Sequence, residues 1–229
     1  MKLLLIDTCG TEGSVAIADA GCDPADTVST TLPGRSASEK LVAAVRELAR
    51  ESGIELRELG AIAIVNGPGS FTGVRVGLSA AKGFCEALNV PLILISRLAV
   101  LASASAAGPE THAFAVLDAG RQEFYVGEYL GGARLDEALV PHDELRSRIL
   151  RAANRALMVC EESVAGALSE FAPRMVAEPS AVSSLPLVLE RIRRSSFDDV
   201  VSADANYLRR TDLEIFAKVR AQAALAGRP

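Results

Sequence analysis

The sequence predicts an α/β chain assembled from two similar halves. Of its 229 residues, 49% are hydrophobic but only 4% aromatic, and Trp is absent. The core must therefore come from Ala, Val, Leu and Ile, a composition that suits alanine-rich helices and β-branched strands. Short apolar runs alternate along the chain with stretches of helical spacing. One local pattern also occurs twice: an apolar strand, a terminal Asp, a turn and a second strand, first around Asp7 and again around Asp118.

The elements follow in order. Leu3 to Ile6 is a short apolar run ending in Asp7-Thr8, and Ser14 to Ala18 and Thr27 to Leu32 supply two further strands of an antiparallel meander. Ser36 to Ser52 reads as a helix, with Ser36 and Glu39 as a capping box, Gly53 as terminator, and Leu41, Val42, Val45, Leu48 and Ala49 on one stripe. Ala61 to Val65 is a buried strand. A glycine-rich loop and a helix to about Asn89 come next, then a strand over Leu92 to Ile95 and a helix over Arg97 to Ala106.

After Ala107-Gly108-Pro109 the pattern restarts with strands over His112 to Leu117 and Phe124 to Tyr129. Beyond it, Pro141 to Arg151, Glu161 to Phe171 and Leu185 to Arg194 read as helical and Ala156 to Cys160 as a strand, while Asp212 to Leu225 is an amphipathic helix. The repetition suggests a duplicated actin-like ATPase (ASKHA, RNase H-like) two-lobed fold. The expected lobes are 1–106 and 107–204, with a C-terminal helix over about 205–225 packing back on the first.

The net charge is -5 and the sequence pI is near 5.2. A chain that gripped nucleic acid alone would show a basic face, because phosphate contacts dominate such affinity. The one basic cluster, Arg191, Arg193 and Arg194, suits a solvated helix end. Four scattered cysteines without Cys-x-x-Cys argue against a zinc ribbon or a disulfide framework. The apolar run at the N-terminus is too short for a signal peptide, and no run of about 18 apolar residues offers a membrane span. The expected location is cytoplasmic.

The sharpest motif is Asn66-Gly67-Pro68-Gly69-Ser70-Phe71-Thr72-Gly73, between a strand and a helix. Helix N-termini in that setting hold anions, yet the same glycines serve a tight structural turn equally well. Gly73-Val74-Arg75 fails the Walker A ending, and the glycine spacing fails the dinucleotide fingerprint. Residual phosphate-loop candidates are Asp7, Thr8, Gly67, Gly69, Ser70, Thr72, Gly73 and Asp118. The following helix carries a packing seam, Val74, Leu78, Ala81, Cys85 and Leu88, and a nearly bare strip, Gly73, Gly77, Ala80 and Ala87. A helix covering a sheet needs one such face, so the second is expected to meet another subunit. His112 and His142 are too far apart for a His-x-x-x-His metal site, so no metal ligand set is expected. No G-x-S-x-G elbow is present either, and Cys9, in a glycine-flanked loop, reads as a small inert residue or, alternatively, a reactive thiol.

Gly67 to Gly77 together with Ala81-Lys82-Gly83 resembles the signature of the TsaB family. Ile6-Asp7-Thr8 with Ser14-Val15-Ala16, Asp118 to Tyr125, and Asn206-Tyr207-Leu208-Arg209 resemble further segments of it in the same order. Two positions depart: Ala37 stands where many relatives have His, and Ala205-Asn206 where a Pro is common. The resemblance implies a non-catalytic scaffold for tRNA N6-threonylcarbamoyladenosine synthesis. The implied partners are the transferase TsaD in a heterodimer and the ATPase TsaE, with a homodimer when TsaD is absent, tRNA met only indirectly, and no cofactor. It also implies a dimer surface from helices 36–52 and 70–89, placed at Leu41, Val45, Val74, Gly77, Leu78, Ala81 and Cys85. The competing readings are a small actin-fold ATPase or kinase using Asp7, Asp118 and the Gly67–Gly73 loop, or a peptidase.

Overall fold

The computed structural model describes residues 1–21, 26–33, 37–104 and 108–208. The first five strands are β1 (Lys2–Asp7), β2 (Gly13–Asp19), β3 (Val28–Leu32), β4 (Leu59–Val65) and β5 (Leu92–Ile95). They form one sheet in the order β3-β2-β1-β4-β5, antiparallel from β3 to β1 and parallel from β1 to β5. Helices α1 (Ala37–Glu51) and α2 (Phe71–Leu88) connect β3 to β4 and β4 to β5, and α3 (Arg97–Ser103) leads on from β5 to the second half.

The second half repeats this plan. Strands β6 (His112–Asp118), β7 (Glu123–Leu130), β8 (Ala133–Pro141), β9 (Arg155–Val159) and β10 (Arg174–Met175) are joined by α4 (His142–Arg151) and α5 (Glu162–Ala167), and α6 (Leu185–Arg193) follows. The sheet order β10-β9-β6-β7-β8 matches the first sheet strand for strand. Asp7 and Asp118 close the corresponding strands β1 and β6. The expected α/β two-lobed class is what the chain adopts.

Strand side chains alternate between faces, and the first sheet is buried on both. Leu4, Ile6, Ile62 and Ile64 pack with Leu41 and Val45 of α1 and Leu78 and Ala81 of α2. Leu3, Leu5, Ala63 and Ile93 pack on the other side with Val100 of α3 and with Leu185 and Val188 of α6. In the second sheet, Phe114, Val116 and Val126 meet Leu145 and Ile149 of α4, while Ala113, Ala115 and Leu117 meet Leu98 and Leu101 of α3. Helix α3 thus fills the layer between the sheets, while α6 packs on the first. Residues from Ala181 through Val188, which the sequence reading put with the second lobe, pack on the first sheet.

Strands β8 and β10 went unread in the sequence. β8 is mostly exposed over Ala133–Asp136, so it lacks an apolar signal, and β10 spans two residues. The proposed Ser36 cap and the helix at 212–225 lie outside the described residues. Gly53 at φ +66 and Asn89 at φ 54 end α1 and α2 in left-handed conformations, as helix termini commonly do.

Candidate functional site

The parallel strands β1 and β4 end side by side, and the turns that leave them face the second sheet across a cavity of about 870 Å³. Its walls include Thr8, Cys9, Gly69, Ser70, Thr72 and Gly73 from the first half, and Asp118, Ala119, Tyr125 and Glu161 from the second. Six of the eight phosphate-loop candidates therefore share one cleft. Asp7 is only 2% exposed, and it and Gly67 sit outside the lining.

Close packing is what the glycines of the loop provide. A Cβ on Gly69 would collide with the Cys9 backbone, one on Gly73 with the Thr8 carbonyl, and one on Gly77 with the Thr8 hydroxyl. Gly67 adopts φ +106, a region costly for other residues, and the Gly67–Pro68 peptide is cis. The donors here are also engaged. Ser70 N–H donates to the Cys9 carbonyl at 2.9 Å, and Gly73 N–H to the Ser70 hydroxyl at 3.2 Å. The Thr8 hydroxyl donates to the Gly73 carbonyl at 2.7 Å. The loop clamps the tip of β1 onto α2, which favours the structural reading of its glycines.

Arg97, absent from the sequence-based candidates, also lines the cleft. It is 5% exposed, donating to the Cys9 carbonyl at 3.3 Å and to Glu178 at 2.7 Å. The one signal for it was a lone cation opening an otherwise apolar helix, Arg97-Leu98-Ala99-Val100.

Behind Arg97, burial raises the pKa of the Asp7 carboxyl, against the opposing influence of the Cys9 N–H and the Arg97 charge. Its Oδ1 accepts from Cys9 N–H at 2.8 Å while Oδ2 has no partner. Burial likewise raises Glu161. Desolvation holds the Cys9 thiol well above its ordinary range and pushes Cys85 and Cys160 up to about 11. None of these three thiols offers a thiolate at neutral pH. Among the described residues neither His nor Lys lines the cavity, and no group of three or more His, Cys, Asp or Glu could hold a metal. His112 lies 3.4 Å from Glu128 and His142 3.3 Å from the Ala167 carbonyl, each in its own local contact.

A polar chain crosses between the lobes on another side. Tyr129 donates to Glu137 at 2.6 Å, and the Asn206 side chain donates to the same carboxylate at 2.7 Å. Asn206 N–H donates to the Asn66 carbonyl at 2.8 Å, and the Asn66 side chain to the Asp204 carbonyl at 3.1 Å. Asn66 and Asn206 both belong to motifs legible in the sequence; Glu137 and Tyr129 do not.

The seven residues expected to form the dimer surface face inward. Leu41, Val45, Val74, Gly77, Leu78, Ala81 and Cys85 are buried, the six side chains against the chain's own sheet. The seam at helical spacing is this chain's core, because α1 and α2 lie side by side over that sheet. The outward positions are others: Val42 on α1, and Phe71, Arg75, Ser79, Gly83 and Ala87 on α2. Arg75 stacks on Phe71 at 3.7 Å and donates to the Tyr207 hydroxyl at 2.6 Å. In the basic cluster, Arg191 pairs with Asp198 at 2.9 Å, so that charge is spent internally.

Among the described residues no helix is long and apolar enough to cross a membrane.

Comparison with known proteins adds the family. The model described as TsaD, tRNA N6-adenosine threonylcarbamoyltransferase, matches residues 31–156. The tRNA threonylcarbamoyladenosine biosynthesis protein TsaB of Escherichia coli K12 is 32% identical over 66% of this chain and 63% of its own length. TsaB of Bacillus subtilis 168 is 30% identical over 62% of this chain and 60% of its own. The matched segments thus span less than two thirds of these relatives. The solved structure of YeaZ from Pseudomonas aeruginosa superposes with a TM-score of 0.71 at 28% identity, covering 90% of this chain and 99% of that one. The TsaD match runs over more than half of the chain, and the chain belongs to that family and, within it, to the TsaB/YeaZ group.

Proposed function

We propose that this chain is a non-catalytic subunit for tRNA N6-threonylcarbamoyladenosine synthesis that docks onto a TsaD-type transferase. The observation that carries the reading is the cleft, whose Arg97 is paired with Glu178 and whose Ser70 and Gly73 amides are bonded within the chain itself. Among the described residues the wall holds neither His nor Lys and its one thiol, Cys9, is held protonated, so no His- or Cys-based nucleophile and base pair forms there. The relatives named for this biosynthesis and the family model named for the transferase support the pathway. The negative charge agrees with a partner making most of the tRNA contact. TsaE as a further partner, a homodimer in the absence of TsaD, and a cytoplasmic location belong to the same reading.

The docking surface in this proposal is the outward side of α1 and α2, where Val42, Phe71, Ser79 and Gly83 are exposed. Gly83 stands mid-helix with nothing within 4 Å of an added Cβ. Glycine there costs an isolated helix ~1 kcal/mol relative to Ala, which suits the close approach of a partner backbone. The lobe division is also part of the proposal: the first lobe takes 1–106 and the second begins at 107. The return to the first sheet begins near Ala181, where the chain packs on β1 and β5.

The test is reconstitution of the modification from purified TsaD, TsaE, the adenylate-forming enzyme and tRNA, with and without this chain. Activity should require it, and restoration without it overturns the proposal. Gly83→Arg should abolish co-elution with TsaD while leaving the circular dichroism unchanged, because a charge forced into a closed interface is costly. The competing ATPase or kinase reading predicts micromolar Mg-ATP binding that Asp7→Asn removes; calorimetry decides between them.

A further inference from the structure

The segment that returns from the second sheet to the first carries a carboxylate into the cleft. Val176 N–H bonds the Val159 carbonyl on β9, and Ala181 N–H bonds the Ser14 hydroxyl on β2. Glu178 lies midway along this crossing, and both of its carboxylate oxygens accept hydrogen bonds. Arg97 Nη2 donates to Oε1 at 2.7 Å, Thr11 N–H to the same oxygen at 3.2 Å, and the Thr11 hydroxyl to Oε2 at 3.1 Å. Gly10 permits this approach, since a Cβ there would collide with Oε1. The Arg97 side chain is 6% exposed and that of Glu178 42%, so the cation is fixed and the anion sits at the solvent side. Arg97 Nε is buried without a partner, a spare donor beside a satisfied carboxylate.

We propose that Glu178 is an internal ligand occupying an oxyanion site made by Arg97 and the turn between β1 and β2. The site takes a free phosphate-class anion when that carboxylate is withdrawn. Guanidinium, amide and hydroxyl donors converging on one point are the set that recognises phosphate as well as carboxylate. A tetrahedral anion has oxygens to spare for Arg97 Nε, whereas the planar carboxylate leaves it unpaired. The crossing segment is thus a plug: the same contact that ties the lobes together keeps the cleft closed to phosphate groups. This inference stands on the geometry alone and is independent of the role in tRNA modification.

Calorimetric titration with inorganic pyrophosphate at fixed ionic strength tests it on the full chain. Wild type should bind negligibly, and Glu178→Ala should bind at least ~10-fold more tightly through the freed charge-assisted donors. Adding Arg97→Met to Glu178→Ala should return binding to the wild-type level. Glu51→Ala removes one exposed acid elsewhere and should behave as wild type; an equal gain there would show general charge attraction and overturn the proposal. So would a Glu178→Ala protein that binds no better than wild type, or one whose gain survives loss of Arg97. Should Glu178→Ala fail to fold, Glu178→Gln keeps the side-chain shape and should still bind pyrophosphate several-fold more tightly; unchanged binding in that variant refutes the plug.

Discussion

The two lobes share one topology and spend it differently. In the first, β4 leads through a glycine-rich loop into the 18-residue α2; in the second, β9 leads into the 6-residue α5. The strand-tip acids diverge in the same way. Asp7 is sealed behind the turn that follows it, whereas Asp118 lies exposed, receiving Gly120 N–H and donating its own N–H to Glu161. The third strand shows the reverse trade, with 5 residues in β3 and 9 in β8. One half has been built up into a helical face over a tightly clamped strand tip, and the other into a long hairpin. Duplicated topology thus preserves the path of the backbone while each copy's loops settle what its cleft wall does.

The sharpest break of this comparison is a pair of glycines. Gly73 lies in the first turn of α2 against the Thr8 carbonyl, and Gly166 lies in α5 with nothing within 4 Å of an added Cβ. Gly73→Ala should lower the unfolding free energy by ~3 kcal/mol, because the clash is with backbone that cannot step aside. Gly166→Ala should leave it unchanged or raise it by up to ~1 kcal/mol. Urea denaturation of both variants reads the difference, and equal effects would show that the loop in the first lobe is not clamped.

A smaller effect is expected where the lobes meet. Asn206→Ala removes the donor at 2.7 Å from a Glu137 carboxylate whose side chain is 4% exposed, with Arg134 still 3.9 Å away. The loss should be ~1–3 kcal/mol, the cost of an unpaired buried acceptor. Hydrogen exchange should report it at the amide of position 206, which bonds the Asn66 carbonyl, before the sheets. A variant without effect would show that this chain of bonds does not hold the lobes.

The smallest expected effect concerns the buried acid. Burial raises the Asp7 pKa above the ordinary carboxylate value of 3.8, so the folded state binds more protons than the unfolded state in the window above that value. Stability should therefore fall as pH rises from about 4 through the raised pKa. Asp7→Asn keeps the acceptor for Cys9 N–H and should flatten that slope in denaturation midpoints measured from pH 4 to pH 8. A slope that persists in the variant would assign the dependence to another group.

Much of the fold was legible in the residues themselves. Strand β1, with its run Leu3-Leu4-Leu5-Ile6, and helix α2, ended by Asn89 and Pro91, announce their type through local periodicity. The doubled strand-Asp-turn pattern pointed to the repeat. By contrast, β8 runs along the edge of its sheet with its first residues exposed, and an edge strand open to solvent has little apolar pattern to read. The site was legible in part. Thr8, Ser70, Gly73 and Asp118 do converge on one cleft, but Arg97 and Glu178, 81 positions apart, meet only after both sheets are assembled.

The sequence by itself determined most of the strands and helices, though not the exposed β8 or the two-residue β10, because local spacing, caps and glycines act within a few residues. It also determined that two similar units follow one another. Only the tertiary structure decided which way each apolar stripe faces. The spacing of Val74, Leu78, Ala81 and Cys85 states that one side of α2 must be buried, and it would be the same for a partner subunit as for the chain's own sheet. The sheet won, since β1 and β4 present Ile6, Ile62 and Ile64 within the same chain, where no entropy of association opposes contact. The tertiary structure likewise decided that Arg97 meets Glu178, because a pair so distant in sequence leaves no local trace.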